Sequence, residues 1–371
     1  MKKIIIFTIL IITSKNYSQD VEFLNYFGFN SIGTFENRTA SITLYDIDKD
    51  GDLDALVANG RHWAEQNYIY YNNGKGAFKT AQPIGKFLDA SYVIGVGDFN
   101  NDGINDIAVV NDKSKNKIYL GSKNQTFQRE YSFGNPSNPS RNLTVFDIDQ
   151  DGDLDLIISN RKAENEICFN DGNGKFSFTK IFGGLKDQTL ESEIVDINSD
   201  GFLDIITAER KSKNKIYLND GKNNFSNPIE FGNKNNDTRS IEIVDMNKDG
   251  FLDIITGNIN SKNIIYFGNA ELDFSKTYEF QTERMTASIK VADINQDGTM
   301  DVIEGNSEQP NFVYLGATDG RFIEVELGEN QKSETYNILV GDINNNGLLD
   351  IIESNSGDMN LFYITRKNNK N

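Results

Sequence analysis

The chain has 371 residues, one Cys, one His and a net charge of −18. A lone cysteine excludes an internal disulfide framework, and a lone histidine excludes a multi-histidine zinc site. No basic run with interleaved aromatics marks a nucleic-acid surface, and after the N-terminus no segment is long and apolar enough to span a bilayer.

Met1-Lys2-Lys3, an apolar core from Ile4 to Ile12 and a polar flank read as an export signal over residues 1–18, cut after Ser18. Residues 19–371 then form one domain, and no lipobox cysteine follows. The expectation is a soluble exported protein, periplasmic or extracellular. Cys168 stands in "EICFN" where sister segments carry Tyr or Phe, which fits a small buried hydrophobe better than a reactive thiol.

One acidic pattern recurs seven times, opening at Asp46, Asp98, Asp147, Asp196, Asp245, Asp293 and Asp342. Successive openings differ by 52, 49, 49, 49, 48 and 49 residues. Each unit contains four strand-like runs, in the order "SIEIVD" before the loop, "DIITGN" after it, "NKIYLND", and a run beginning with Phe and usually closing on Gly. Asn-Gly and Asp-Gly turns such as "NDGNG" join the last two. This predicts an all-β, seven-bladed β-propeller of four-stranded antiparallel blades. The last unit stops after its third strand, and "YFGFNSIG" near the N-terminus supplies a spare one. The N-terminal strand is therefore expected to close the ring and remove its open edges.

The acidic loops read D-x-[DN]-x-[DN]-G-x-x-D. Side-chain oxygens at places one, three, five and nine converge with the carbonyl of place seven, and an all-oxygen shell suits Ca²⁺ above Mg²⁺. The first loop offers Asp46, Asp48, Asp50 and Asp54 with the Asp52 carbonyl; the second offers Asp98, Asn100, Asp102 and Asp106 with Ile104. The third offers Asp147, Asp149, Asp151 and Asp155 with Asp153, and the fourth Asp196, Asn198, Asp200 and Asp204 with Phe202. The fifth offers Asp245, Asn247, Asp249 and Asp253 with Phe251; the sixth offers Asp293, Asn295, Asp297 and Asp301 with Thr299. The seventh offers Asp342, Asn344, Asn346 and Asp350 with Leu348. Places one, three, five and nine hold 22 of the chain's 55 acids, which leaves 33 against 37 Lys and Arg. The acidity thus belongs to the loops and says little about partners. Affinity follows ligand charge, so loops one and three are expected to bind most tightly and loop seven, with only Asp342 and Asp350 charged, most weakly.

The loops, the Phe-Gly pairs (Phe133-Gly134, Phe182-Gly183, Phe231-Gly232) and the Tyr-Leu-Asn-Asp-Gly hairpins resemble FG-GAP or VCBS-type repeats. Those repeats are the blades of integrin-α-like propellers and of many exported bacterial proteins. The resemblance covers residues ~26–365 at the repeat period and implies the same fold and calcium dependence.

All seven acidic loops lie at one end of the strands, and the repeats diverge at the other. Six of the second-to-third-strand loops have a common length and are bounded by Asn or Glu and by Asn, which reads as hairpin capping. The first, "NGRHWAEQN", is three residues longer and carries Arg61, His62 and Trp63. Seven places before each loop-opening Asp stands a hydroxyl residue, from Thr39 to Thr335, expected to make a repeated hydrogen bond between blades. The next residue varies, and includes Tyr92, Arg141, Arg239 and Tyr336. With Arg161 and Arg210 in neighbouring loops, these side chains form a candidate pocket for an anionic or glycan ligand, the arginines holding carboxylate or sulfate and the rings packing on sugar faces. Ordinary solvated or wedge-packing side chains are the plainer alternative.

No G-x-S-x-G, H-E-x-x-H or C-x-x-C motif occurs. The reading is a non-catalytic binding or scaffold module for a glycan or extracellular protein, with no nucleic-acid partner and no assigned oligomeric state. The alternative is a polysaccharide lyase using His62, Tyr92 or Tyr336 as base and proton donor, with Arg141, Arg239 or Arg61 neutralising a uronate.

Overall fold

The computed structural model describes residues 20–25, 30–127, 129–328 and 331–368. The expected export signal lies outside these residues, as do residues 26–29 of the expected N-terminal strand. Among the described residues no helix is long and apolar enough to cross a membrane.

The fold is an all-β propeller whose repeating element is a four-stranded antiparallel blade. In the first unit Thr39–Tyr45, Asp54–Asn59, Glu65–Tyr71 and Thr80–Asp89 pair in chain order. Three more four-stranded sheets follow, beginning at Ser91, Ser140 and Thr189. The second strand of each unit is a β-branched run such as "DLIISN", buried along its whole length. Its neighbours in the sheet protect its backbone, and adjoining units cover both its faces, so no polar alternation is needed. Fourth strands lie outermost; Arg129–Phe133 is exposed except at Phe133.

The core is distributed over the seams between units rather than gathered in one centre. Phe99, Ile118 and Phe133 of the second unit pack with Leu143, Leu156 and Phe176 of the third. At the far seam Ile343, Ile352 and Phe362 pack with Ile42, Val57 and Tyr70 of the first unit. First strands of successive units lie against one another around the axis, and Thr335–Gly341 lies against Thr39–Tyr45. Ser31–Ile32 and Val21–Leu24 both pair antiparallel with the last strand, Asn360–Lys367.

Hydrogen bonding arranges the strands in six sheets, not seven separate ones. The difference has a local cause. Strands ending at Phe133, Phe182 and Phe231 are each followed by a glycine at positive φ (61°, 74° and 76°), where the chain turns away to the next unit. After Phe280 the residue is Gln281, which has no such freedom. The chain runs on as one strand, Thr277–Ala292, and units five and six share a six-stranded sheet.

Candidate functional site

At the end of the strands away from the acidic loops, a lattice of Asn and hydroxyl groups fixes the axial opening. In every unit the N–H opening the second-to-third loop donates to the Oδ1 of the closing Asn, at 2.6–2.9 Å. The expected capping role is therefore observed. The recurring hydroxyl donates inside its own unit, as Thr39 Oγ1 does to Asn59 Oδ1 (2.8 Å), with Glu209 taking the Asn place in unit four. The link between units arrives from the other side. Asn67, Asn165, Asn263 and Asn311 donate to the hydroxyl of the following unit, and Asn360 donates to Thr39 at 3.1 Å.

Immediately after each hydroxyl the ladder slips by one residue, so all seven first strands carry a β-bulge at the same place. The bulged residue is the variable one: Ala40, Tyr92, Arg141, Leu190, Arg239, Ala287 or Tyr336. A bulge leaves its residue outside the ladder and re-aims its side chain, and here all seven line an opening of about 150 Å³. Arg61, His62 and Arg161 join the wall from the loops.

The insertion sits over this mouth because its entry is tight. Gly60 adopts φ 107°, and a Cβ there would lie 2.1 Å from the Trp63 carbonyl oxygen. Arg61 lies across the Tyr336 ring (3.5 Å), donates to Ser356 Oγ (3.0 Å), and keeps a buried Nε with no partner. His62 Nδ1 meets Asp112 Oδ2 at 2.7 Å, and the Tyr92 hydroxyl lies 3.2 Å from Nε2. Arg141 donates to the other Asp112 oxygen (2.9 Å) and lies over the Tyr92 ring at 4.3 Å. Burial opposes ionisation of Asp112, but Arg141 and His62 outweigh it and hold the carboxyl below its ordinary range. Burial raises Tyr92 against the pull of Arg141, and pushes Tyr336 up to about 12. Both phenols are therefore donors at neutral pH rather than bases.

Two predicted residues stand outside the mouth lining. Trp63 is 57% exposed, with Arg38 over its ring at 4.8 Å. Arg210 pairs with Asp237 (3.1 Å), which also holds Arg239 (2.6 Å). Sequence reasoning missed the acids behind the arginines, Asp112, Asp237 and Glu334. The signal was available: Asp112 shares a loop column with Arg161 and Arg210, while Asp237 and Glu334 directly precede the hydroxyl column. Glu191 also lines the opening, and it belongs to a cluster with Glu193, Glu242 and Lys290, the last ion-paired with Glu242.

The opposite end holds the acidic loops. In the first, Asp46 accepts from the N–H groups of Asp50 and Gly51 at 3.0 Å, the sharp turn that draws the carboxylates inward. The fourth place adopts positive φ and reaches to the next loop: Lys49 to the Gly103 carbonyl, Asn101 to Asp153, and Asn345 to Asp52 across the last seam. The ninth-place Asp is buried and takes two backbone N–H groups, as Asp54 does from Ile47 and Asn72. Burial pushes Asp54, Asp155, Asp301 and Asp350 up to about 7. Ligand atoms of three carboxylates come within 4.8 Å of one another in loops one (Asp46, Asp48, Asp54) and three (Asp147, Asp149, Asp151). Buried Asp48 Oδ1 has no hydrogen-bond partner, as expected of a metal ligand. In loops two, four and six the third-place Asn instead donates to the fifth-place Asp at 2.9–3.1 Å. In the first loop the residues that could hold a hard divalent cation are Asp46, Asp48 and Asp54, whose carboxylates converge.

A model of the FG-GAP-like repeat matches six overlapping stretches, 46–109, 98–158, 147–207, 196–256, 245–304 and 293–353. The chain belongs to the FG-GAP-like repeat family. No curated protein matches it. Among solved structures this FG-GAP-repeat chain is similar to BBS1N in complex with ARL6DN, soaked with lead, at 12% identity and TM-score 0.61, over 90% of this chain and 94% of that one. The mercury-soaked form of the same complex gives 12% identity and TM-score 0.63, over 92% and 96%. At that identity the likeness is one of fold.

Proposed function

We propose that this FG-GAP-repeat protein is an exported, calcium-stabilised binding module that receives a glycan or extracellular protein at the mouth opposite its acidic loops. The observation that carries this reading is the set of seven bulges, which aims one variable side chain per unit into a single opening. A fold needing only stability has no use for axial positions free of the ladder. The similar propellers were solved with a protein partner, ARL6DN, which supports a binding role for this architecture.

The reading includes a ring of seven blades closed by the N-terminal strand, the six-stranded sheet counting as two blades. It is supported by contacts joining the last unit to the first: the Asn360–Thr39 bond, the Asn345–Asp52 bond and the apolar seam at Ile343 and Ile42. It also includes Ca²⁺ at up to seven loops, supported by the converging carboxylates of loops one and three.

The test is an array of neutral and anionic oligosaccharides and acidic peptides, probed with the full chain. Two variants accompany it: Ala287→Phe to plug the mouth, and residues 60–65 replaced by the Asp-Lys-Ser of unit two. Hits abolished by Ala287→Phe support the reading, and hits that survive both changes defeat it.

The Asp112–His62–Tyr92 chain favours one second reading, a lyase acting on a uronate held by Arg141 or Arg61. Ultraviolet absorbance of an unsaturated product from anionic polysaccharides, lost in His62→Ala, would establish it; binding without turnover excludes it.

A further inference from the structure

We infer that the mouth contains a seat for a carboxylate or sulfate group at Arg161, so that the ligand is read by charge and not by ring stacking. The inference rests on the mouth being the binding face.

Stacking is disfavoured because the rings that would receive a sugar are already covered. Arg61 lies over Tyr336 at 3.5 Å and Arg141 over Tyr92 at 4.3 Å. The guanidinium groups are thereby fixed as planar forks whose edges, not faces, can meet a ligand.

The charge balance then singles out one position. Arg141 is paired with Asp112, and Arg239 and Arg210 share Asp237. Arg61 has Ser356 and, at 3.7 Å, Glu334, but its Nε is buried and unmatched. The Arg161 guanidinium has no hydrogen bond or ion pair among the described residues, although it lines the opening. Burial, Arg141 and Arg210 all act to lower its pKa. Unpaired donors in a half-buried, like-charged setting are costly until an anion arrives, and a charge-assisted bidentate contact is the strongest way to satisfy them.

Trp63, the only tryptophan, lies beside His62 (ring centroids 6.2 Å apart) and is a native reporter. Sodium sulfate and sodium acetate, titrated at constant ionic strength, are expected to change its fluorescence saturably. Arg161→Gln should weaken both titrations tenfold or more, with partial recovery in Arg161→Lys and unchanged melting in each variant. No saturable change, or equal affinity in Arg161→Gln, overturns the seat. Trigalacturonate and an aspartate-rich peptide then identify the source: displacement of sulfate by either supports the seat, and displacement by neither overturns it as a ligand site. If Ala287→Phe blocks array hits while Arg161→Gln binds them normally, the seat is wrong and the binding face stands. If Ala287→Phe also leaves them intact, both readings fall.

Discussion

The two ends of this propeller are made from the same seven sequence units yet follow opposite rules. At the acidic end the positions with a structural task repeat: the turn-closing first Asp, the buried ninth-place Asp and, in six of the seven loops, the fourth-place residue that bridges to the next loop. At the mouth the scaffold repeats just as strictly, through hydroxyl, Asn and bulge, but the residue it presents does not. Repetition marks what holds the molecule together, and on the function proposed above variation inside a repeated frame marks what it touches.

The largest test of this contrast is metal removal. Chelation is expected to lower the melting temperature by about ten degrees or more, since ligands bound only by the native state stabilise by mass action. The 60–65 replacement at the mouth should leave that calcium response intact. Equal calorimetric traces with and without chelator would collapse the distinction between the ends.

Next come two glycines with positive φ. Gly60→Ala drives a Cβ into the Trp63 and Asp89 carbonyls at 2.1 and 2.6 Å, whereas a Cβ at Gly103 meets nothing within 4 Å. The first should cost about 3 kcal/mol and shift Trp63 fluorescence, and the second about 1 kcal/mol, its backbone strain alone. Chemical denaturation measures both.

A smaller effect concerns Glu209, the one acid in the mouth-end Asn column. Burial raises its carboxyl from 4.5 to about 7, against hydrogen bonds from Thr189 and Thr207. A raised folded-state value favours the protonated form, so its contribution is complete below pH 4.5 and lost as pH rises through 7. Glu209→Gln should therefore be near neutral at pH 4 and stabilising by roughly 2 kcal/mol at pH 8. A gain at pH 4 as large as at pH 8 would contradict the burial argument. Smallest of all, Asn346→Asp should tighten calcium at the seventh loop by about tenfold, ~1.4 kcal/mol, without moving any mouth property.

Much of this was legible in the sequence, because a 49-residue period converts local signals into aligned columns. The strands, the capping Asn residues and the hydroxyl column were readable since each recurs with one physical task. The fusion of units five and six was also written there, in Gln281 after Phe280 and a spacing one residue short, but it is visible only as a missing glycine. The bulges were not legible, because they come from ladder register rather than from residue type. The pairing of Asp112 with both His62 and Arg141 was likewise hidden, since it joins three successive units through side chains that come together only when their blades pack side by side. Trp63, conspicuous in the sequence, lies outside the mouth lining.

The bulge has a consequence for how such a protein changes over time. Each axial residue is excused from the ladder, and its neighbours on both sides bear the hydrogen bonds. Substitution there alters the surface a ligand meets while leaving register, seam and loop untouched. Seven positions can thus change without disturbing the frame, like wards in a lock whose casing never changes, although Tyr92 and Arg141, which touch, are expected to change together. New specificities on this frame are expected to arise at residues 40, 92, 141, 190, 239, 287 and 336 before anywhere else.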